Sequence, residues 1–114
     1  MMVEITKENS VHFVVKKVWF DKLKSGEKTH EYRLYKPHWN RRLLYKTPGK
    51  YIPLPKKYAR FSLGMTSDPD KNLIFEIKNI TLIRASESDL AIMYPELKNS
   101  CELAHDIEIG KRIR

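Results

Sequence analysis

The longest regular run in the sequence, Leu73 to Ile83, is strand-like and changes its phase in the middle. Phe75 and Ile77 share one phase of the alternation before Asn79, and Ile80 and Leu82 share the other phase after it. Because neighbouring side chains of a strand point to opposite faces, this change moves the apolar face near Asn79. A bulge or bend there re-aims the strand, as the closure of a small barrel requires. The run therefore favours a small barrel.

Short predicted strands, helices and turns lie before and after this run in the sequence. A β-branched, mostly apolar stretch predicts a strand over Val11–Val15, and the spacing of apolar residues predicts a helix over Lys17–Lys24 that Gly26 ends in the left-handed conformation. "HWNRRLLY" predicts one helical turn, "SESDLAIMYPEL" a short capped helix and "TSDPDKN" a turn. Further strands are predicted from Tyr58 to Leu63 and in a last run that ends at Gly110. The predicted fold class is α+β: a small mixed β-barrel with one to three short helices.

Length and composition predict one domain. The chain has 114 residues and 41% apolar residues, enough for one core. We expect residues 1–10 to be an N-terminal extension and residues 11–114 to form the single domain. The single cysteine, Cys101, rules out an internal disulfide. No apolar run is long enough to span a bilayer, and the first residues lack the apolar region of a secretory signal. We therefore expect a cytoplasmic protein with no membrane partner.

The positive charge is concentrated in one part of the chain. The net charge is +8, and residues 28–60 hold ten Lys or Arg and one acid, whereas residues 61–114 hold seven basic and nine acidic residues. Six aromatic residues lie in the same basic stretch. Cations bind phosphate and rings stack on unpaired bases, so this pattern is typical of a nucleic-acid surface. A solvated basic loop whose rings pack on the core explains the same pattern, and both readings stay open.

The stretch "SGEKTHEYRL" (25–34) adds a charged cluster. From residue 29 the pattern has period two, so Glu31 and Arg33 share one face, with Lys28 in the turn before them. Tyr32 lies on the other face, where we expect its ring to be buried in the core. Two cations around one acid can form an ion pair that fixes the turn, and such pairs more often serve shape or function than net stability.

These residues carry a family resemblance. Gly26, Lys28, Glu31 and Arg33 match the G-x-K-x-x-E-x-R signature, and the chain resembles the ASCH domains, which are small PUA-like β-barrels. The strand, the "WF" pair and the helix ending in "SG" before the signature are similar as well. "YRLYKPHW" (32–39) and "DIEIGKRI" (106–113) resemble the small phage- and prophage-type members. The similarity extends over most of the chain.

The resemblance implies a barrel of about six strands with a cleft beside the signature, and it implies binding of RNA or a nucleotide. One branch of the family hydrolyses acetylated cytidine with a Lys, a Thr and a Glu, the Thr lying three residues after the Lys. Glu31 occupies that position here, and a carboxylate cannot replace an alcohol nucleophile. Thr29 is the nearest hydroxyl. The family also includes a ribonuclease, so the alternative is a small hydrolase with Lys28 and Glu31 as catalytic residues.

The chemistry of the cluster also suits a nucleotide without any family knowledge. Arg33 can present a bidentate fork to phosphate or to a base edge, and Lys28 presents a point charge. Glu31 can accept a hydrogen bond from the exocyclic amine of a base. Further candidate binding residues follow in the basic, aromatic stretch: Tyr35, Trp39, Arg41 and Arg42. Trp39 can stack on a base or can pack on the core as a lid.

Metal and cofactor signatures are missing from the sequence. His12, His30, His38 and His105 do not have the spacing of metal ligands, and the single cysteine adds no pair. No glycine-rich phosphate loop and no Ser-His-Asp order is present. We therefore predict no metal and no cofactor, with RNA or a nucleotide as the partner.

Overall fold

The structure is a computed structural model that describes residues 4–114, so residues 1–3 of the predicted extension lie outside the described residues. It is a mixed α+β fold with five strands and three short α-helices. The strands are hydrogen-bonded in the order β1-β3-β4-β5-β2. Among the described residues, no helix is long and apolar enough to cross a membrane. The elements are β1 Ser10–Val14, α1 Lys17–Ser25, β2 His30–Leu34, α2 Pro37–Leu43, β3 Tyr58–Ser62, β4 Asn72–Arg84, α3 Leu90–Met93 and β5 Leu103–Arg112.

The described chain divides into two compact units. The first unit contains residues 4–29, Pro55–Lys78 and Ile109–Arg114, and the second contains His30–Leu54 and Asn79–Glu108. The long strands β4 and β5 each contribute one part to each unit. The prediction of one domain over residues 11–114 stays a prediction.

The first unit has an aromatic core between its strands. β1 pairs parallel with β3, and β3 pairs antiparallel with the start of β4. The rings of Phe13 and Phe61 are stacked with 5.3 Å between their centroids, and Phe75 meets Phe61 edge-on at 5.9 Å. Phe13 and Phe61 are fully buried. Burial of these three rings removes apolar area from water and thereby stabilises this unit.

Helix α1 ends as the sequence predicts. Phe20 and Leu23 form its buried side, and Gly26 follows with a φ of +84°. The Gly26 N–H donates to the carbonyl oxygen of Leu23 at 3.2 Å. A residue with a Cβ is strained at this φ, which explains why glycine ends the helix.

The second unit contains the antiparallel pair of β2 and β5. Glu31 lies opposite Ile107 in this pair, and Arg33 lies opposite His105. Ala104 of β5 belongs to a small buried apolar cluster that also contains residues in and around α3. Its members are Ala85, Ala91, Leu97 and Ala104, with Leu34, Ile83 and Leu90 packed against them.

Helix α2 is longer than the single predicted turn. Pro37 stands at its start, where a missing N–H costs nothing, and Leu43 at its end is fully buried. The chain returns alongside the end of the helix, because Leu54 N–H donates to the Leu43 carbonyl at 2.8 Å and Tyr45 N–H donates to the Ile52 carbonyl at 2.9 Å. These bonds hold the proline-rich segment after the helix without regular secondary structure.

The predicted change of phase in β4 is confirmed in part. Lys78 and Asn79 are both exposed and Ile80 is buried, but Leu82 is exposed, and before Asn79 Ile74 is buried together with Leu73 and Phe75. The two units also divide between Lys78 and Asn79. The long strand therefore serves one unit before this point and the other unit after it.

The short helix predicted in "SESDLAIMYPEL" is confirmed as α3, which has four residues, and the Ser88 hydroxyl accepts from the Leu90 N–H at 3.2 Å near its start. Two other local predictions were wrong in detail. β5 continues past Gly110 to Arg112, and beyond it the Ile113 N–H donates to the Ile74 carbonyl at 2.7 Å. Tyr32 is half-buried, and the buried residue of β2 is Glu31 on the opposite face.

Candidate functional site

Glu31 and Arg33 form a close ion pair on one face of β2. The Arg33 Nη2 lies 2.8 Å from the Glu31 Oε2, and the two side chains are 23% and 8% exposed, respectively. The alternation of the strand brings them together, since residues two apart point the same way. The prediction that Glu31 and Arg33 share a face is therefore confirmed. A carboxylate this deeply buried requires a cationic partner, because removing an unpaired charge from water costs several kcal/mol, roughly.

Trp39 on α2 lies against Arg33. The Arg33 Cζ is 4.8 Å from the centre of the indole ring, close enough for a cation–π interaction, and the Arg42 Cζ is 6.0 Å away. His38 meets the same ring edge-on at 4.9 Å. Trp39 is half-buried and its π-surface already receives a guanidinium. Its main contribution to the site is therefore to hold the fork of Arg33 in place.

His105 on β5 is the buried centre of a second cluster in the same unit. It is fully buried, its Nδ1 lies 2.7 Å from the Tyr51 hydroxyl, and its Nε2 lies 2.7 Å from the Asn40 Oδ1. Because the amide oxygen of Asn40 faces Nε2, the neutral ring carries its proton there and the Tyr51 hydroxyl donates to Nδ1. The same hydroxyl lies 3.1 Å from the carbonyl oxygen of Thr81.

Burial controls the charge of this cluster. It lowers the pKa of His105 to about 4, so the imidazole is neutral at physiological pH. Burial, followed by the neighbouring Tyr35 and Asp106, raises the pKa of Tyr51. The cluster is therefore an uncharged set of hydrogen bonds that links the segment after α2 to β5.

Tyr35 follows β2 and covers this cluster from the solvent side. Its ring centroid lies 5.4 Å from that of His105 and 6.5 Å from that of Tyr51, with both pairs tilted by less than 40°. The Tyr35 backbone N–H donates to the Leu103 carbonyl at 2.9 Å, which extends the pairing of β2 with β5. Tyr35 remains 40% exposed.

Exposed cations are concentrated in the same segment of the second unit as its aromatic residues. Residues 30–54 carry six Lys or Arg and one acid, whereas residues 79–108 carry two basic and six acidic residues. Lys36 pairs with Glu102 at 3.1 Å. Among the described residues, no acidic side chain lies within ion-pairing distance of three exposed cations, namely Arg41, Lys46 and Lys50.

The positive charge of this segment also affects the imidazole of His38. Its pKa is lowered by partial loss of hydration and then by the charges of Arg42, Arg41 and Arg33. Cations that repel a proton in this way also attract a phosphate oxygen.

The remaining predicted residues lie in the first unit. Lys28 is half-buried, and its Nζ lies 5.4 Å from the centre of the Trp19 ring. Gly26 ends α1 and is thus structural. Participation of Lys28 in one site with Glu31 stays a prediction. Within residues 4–114 no group of three or more His, Cys, Asp or Glu side chains is arranged to hold a metal ion.

Sequence reasoning missed the role of His105, Tyr51 and Asn40. The histidine was considered only as a metal ligand, and the tyrosine only as one of several rings in a basic stretch. These residues stand 54 and 65 positions away from His105, so no local spacing relates them. A signal did exist: in "LAHDI" the residues two positions before and after the histidine, Leu103 and Ile107, are apolar and share its face of a strand, which indicates burial.

Together, the fold and the site define a small mixed α+β protein with a basic, aromatic surface around a buried ion pair. No protein-family model matches the chain, and no curated protein and no solved structure matches it. The resemblance to the ASCH domains stays a prediction from the sequence motif.

Proposed function

We propose that this protein binds RNA or a nucleotide through the second unit, beside Glu31 and Arg33. The observation that carries the proposal is the set of exposed cations without an acidic partner among the described residues: Arg41, Lys46 and Lys50. Cations that the protein does not neutralise itself are available to phosphates, and each phosphate contact releases condensed counterions. The charge is local, since residues 79–108 of the same unit are net acidic.

The fold proposed for this function is a PUA-like barrel of the ASCH family. A mixed α+β architecture with five strands and short helices supports it at the level of fold class. The pairing of Glu31 with Arg33 also supports it, because the two spaced positions of the motif then act together. The proposal assumes no catalysis.

Base recognition is assigned to the ion pair. Arg33 is held on one side by Glu31 and on another by the indole of Trp39, so the plane of its guanidinium has a defined direction. A guanidinium held in this way can donate to a phosphate or to the edge of a base with little further loss of entropy. Glu31 can accept from an exocyclic amine, which favours a nucleobase over a bare phosphate.

The first experiment measures the salt dependence of binding. Fluorescence anisotropy with a labelled single-stranded RNA is recorded at several salt concentrations. The triple variant Arg41→Gln, Lys46→Gln, Lys50→Gln should bind more weakly and should lower the log–log salt slope by about 2, since each single-strand phosphate contact contributes about 0.7. A matched control removes the same total charge from exposed lysines of the first unit: Lys24→Gln, Lys71→Gln and Lys111→Gln.

The control should keep the wild-type slope. Equal loss in both triple variants would mean that only net charge matters, and the assigned surface would be wrong. Wild-type protein that fails to bind at low salt would overturn the proposed function itself.

A second experiment separates binding from hydrolysis. Glu31→Gln keeps the shape of the side chain and removes its charge, so affinity should fall by about 1–3 kcal/mol, as for a lost charge-assisted hydrogen bond. The same proteins are assayed for turnover of acetylated cytidine and of a short RNA, with no turnover expected. If the wild type turns over either substrate and Glu31→Gln does not, while affinity is unchanged, the hydrolase alternative with Lys28 and Glu31 replaces the proposal.

A further inference from the structure

We propose that Tyr35 is the stacking surface for an unpaired base, so that the ligand is single-stranded RNA rather than a duplex. This inference rests on the proposed function. Tyr35 is 40% exposed and lies beside the rings of Tyr51 and His105. Its hydroxyl makes no hydrogen bond with any residue in the described range 4–114, and it can donate to a ligand.

The other rings of the basic segment are less suited to stacking. Trp39 is half-buried, and the guanidinium of Arg33 lies 4.8 Å from its ring centre. On that face of the ring a base would have to displace the cation. Tyr45 is 49% exposed, but within the described part of the chain no other ring packs against it. Of these exposed tyrosines, Tyr35 is the one that has other rings behind it.

The support behind Tyr35 is rigid. His105 is fully buried and held at both ring nitrogens, by Tyr51 and by Asn40. The Tyr51 hydroxyl, whose one proton is donated to His105, also lies 3.1 Å from the carbonyl oxygen of Thr81. A ring that is already held loses little conformational entropy when a base stacks on it, so more of the stacking energy appears as affinity.

The strand state of the ligand follows from the geometry of stacking. In a duplex both faces of each internal base are covered by its neighbours, so a tyrosine ring cannot reach them. An unpaired base has a free face, and its phosphates can reach the cations of the same unit. Proteins that bind single-stranded nucleic acids combine an aromatic ring for the base with cations for the phosphates, and this unit has both.

The test uses three substitutions in the full chain. Tyr35→Leu keeps apolar bulk against Tyr51 and His105 but removes the aromatic face. Tyr35→Phe keeps the aromatic face and removes the hydroxyl. Tyr45→Leu is the matched control, because it removes a similarly exposed tyrosine from the same basic segment. Thermal unfolding of each variant verifies the fold.

Binding is measured by anisotropy with a single-stranded RNA of about ten nucleotides, which covers one typical site, and with a duplex of the same length. Tyr35→Leu should weaken binding of the single strand by about 5- to 100-fold, the effect of losing one stacked base. Tyr35→Phe should stay within about threefold of the wild type, since the aromatic face is retained. Tyr45→Leu should match the wild type, and the salt slope should not change in any of the three, because no charge is altered.

The possible outcomes test three statements separately: RNA binding, stacking on Tyr35 and the preference for single strands. Salt-dependent wild-type binding with no loss in Tyr35→Leu overturns the stacking inference and leaves the proposed function standing. Equal losses in Tyr35→Leu and Tyr45→Leu also overturn it, since no tyrosine would then be special. Equal wild-type affinity for the duplex removes the preference for single strands. Wild-type protein that binds neither RNA removes both proposals.

Discussion

Glu31 and His105 lie on neighbouring strands of the second unit, and the protein accommodates these two buried ionisable side chains in opposite ways. Glu31 keeps a carboxylate beside the guanidinium of Arg33 at 2.8 Å. His105 has two uncharged partners, Tyr51 and Asn40, and burial lowers its pKa to about 4. A charge can stay inside a protein only with a countercharge, whereas a neutral polar group needs only hydrogen bonds.

The charged pair and the neutral cluster therefore differ in what they can do for a ligand. Arg33 is 23% exposed, so the ion pair reaches the surface where a charged ligand can meet it. His105 has no exposed surface and acts only through the rings and the amide that it holds. In our proposal the charged pair contacts the ligand, and the neutral cluster supports Tyr35, the ring on which a base stacks.

The largest expected effect is a fall in the free energy of unfolding at acid pH that depends on His105. The unfolded imidazole takes up a proton below about pH 6.5, while the folded one does so only near pH 4. Between these values the unfolded state binds more protons, so the free energy of unfolding falls as the pH falls, by up to about 3 kcal/mol. The stabilisation is fully present above pH 6.5, approximately.

Urea unfolding at a series of pH values from neutral to acid measures this loss. His105→Gln does not titrate, and the difference between wild type and variant cancels the carboxylates and His12, whose pKa is also lowered by burial and then by Arg60. The variant should be less stable at neutral pH and should lose less on acidification. An identical acid loss in both proteins would show that His105 is not held neutral.

The next largest effect is the coupling between Glu31 and Arg33. A double-mutant cycle with Glu31→Gln, Arg33→Met and the double variant should give a coupling energy of about 2 kcal/mol, because each single change leaves a buried partner uncompensated. Urea unfolding at neutral pH measures it. A coupling energy near zero would mean that the carboxylate does not depend on Arg33, and the contrast with His105 would disappear.

A smaller loss is expected for the neutral cluster when one hydroxyl is removed. Tyr51→Phe keeps the ring against Tyr35 but leaves the Nδ1 of His105 without its 2.7 Å partner. The free energy of unfolding should fall by about 1 kcal/mol, the net value of a neutral hydrogen bond. Tyr58→Phe, in the first unit, controls for loss of a tyrosine hydroxyl elsewhere. A loss of stability in Tyr51→Phe as large as the coupling energy of Glu31 and Arg33 would contradict the expectation that the neutral cluster contributes less than the ion pair.

The smallest effect belongs to an ion pair at the surface. Lys36 and Glu102 lie 3.1 Å apart, but their side chains are 55% and 42% exposed. The cycle of Lys36→Met, Glu102→Gln and the double variant should give a coupling of about 0.5 kcal/mol or less, and salt should remove it. A value equal to that of Glu31 and Arg33 would show that burial does not set the strength of these pairs.

Local spacing was sufficient to predict part of the fold and of the site. The end of α1 at Gly26 depends on a single residue that tolerates a positive φ, and the shared face of Glu31 and Arg33 depends on the two-residue repeat of a strand. The burial of Ile80 directly after the exposed Lys78 and Asn79 follows the change of phase predicted near Asn79. Each of these features is decided within a few residues of chain.

Only the tertiary structure decided which residue of β2 is buried and what surrounds it. Alternation places Glu31 and Tyr32 on opposite faces but does not say which of the two side chains is buried, and the structure buries Glu31. The cluster of Tyr51, His105 and Asn40 joins three distant segments, so its parts meet only when β5 pairs with β2 and the chain returns after α2. Side-chain periodicity is a property of the local backbone, whereas burial and long-range hydrogen bonds depend on the packing of the whole unit.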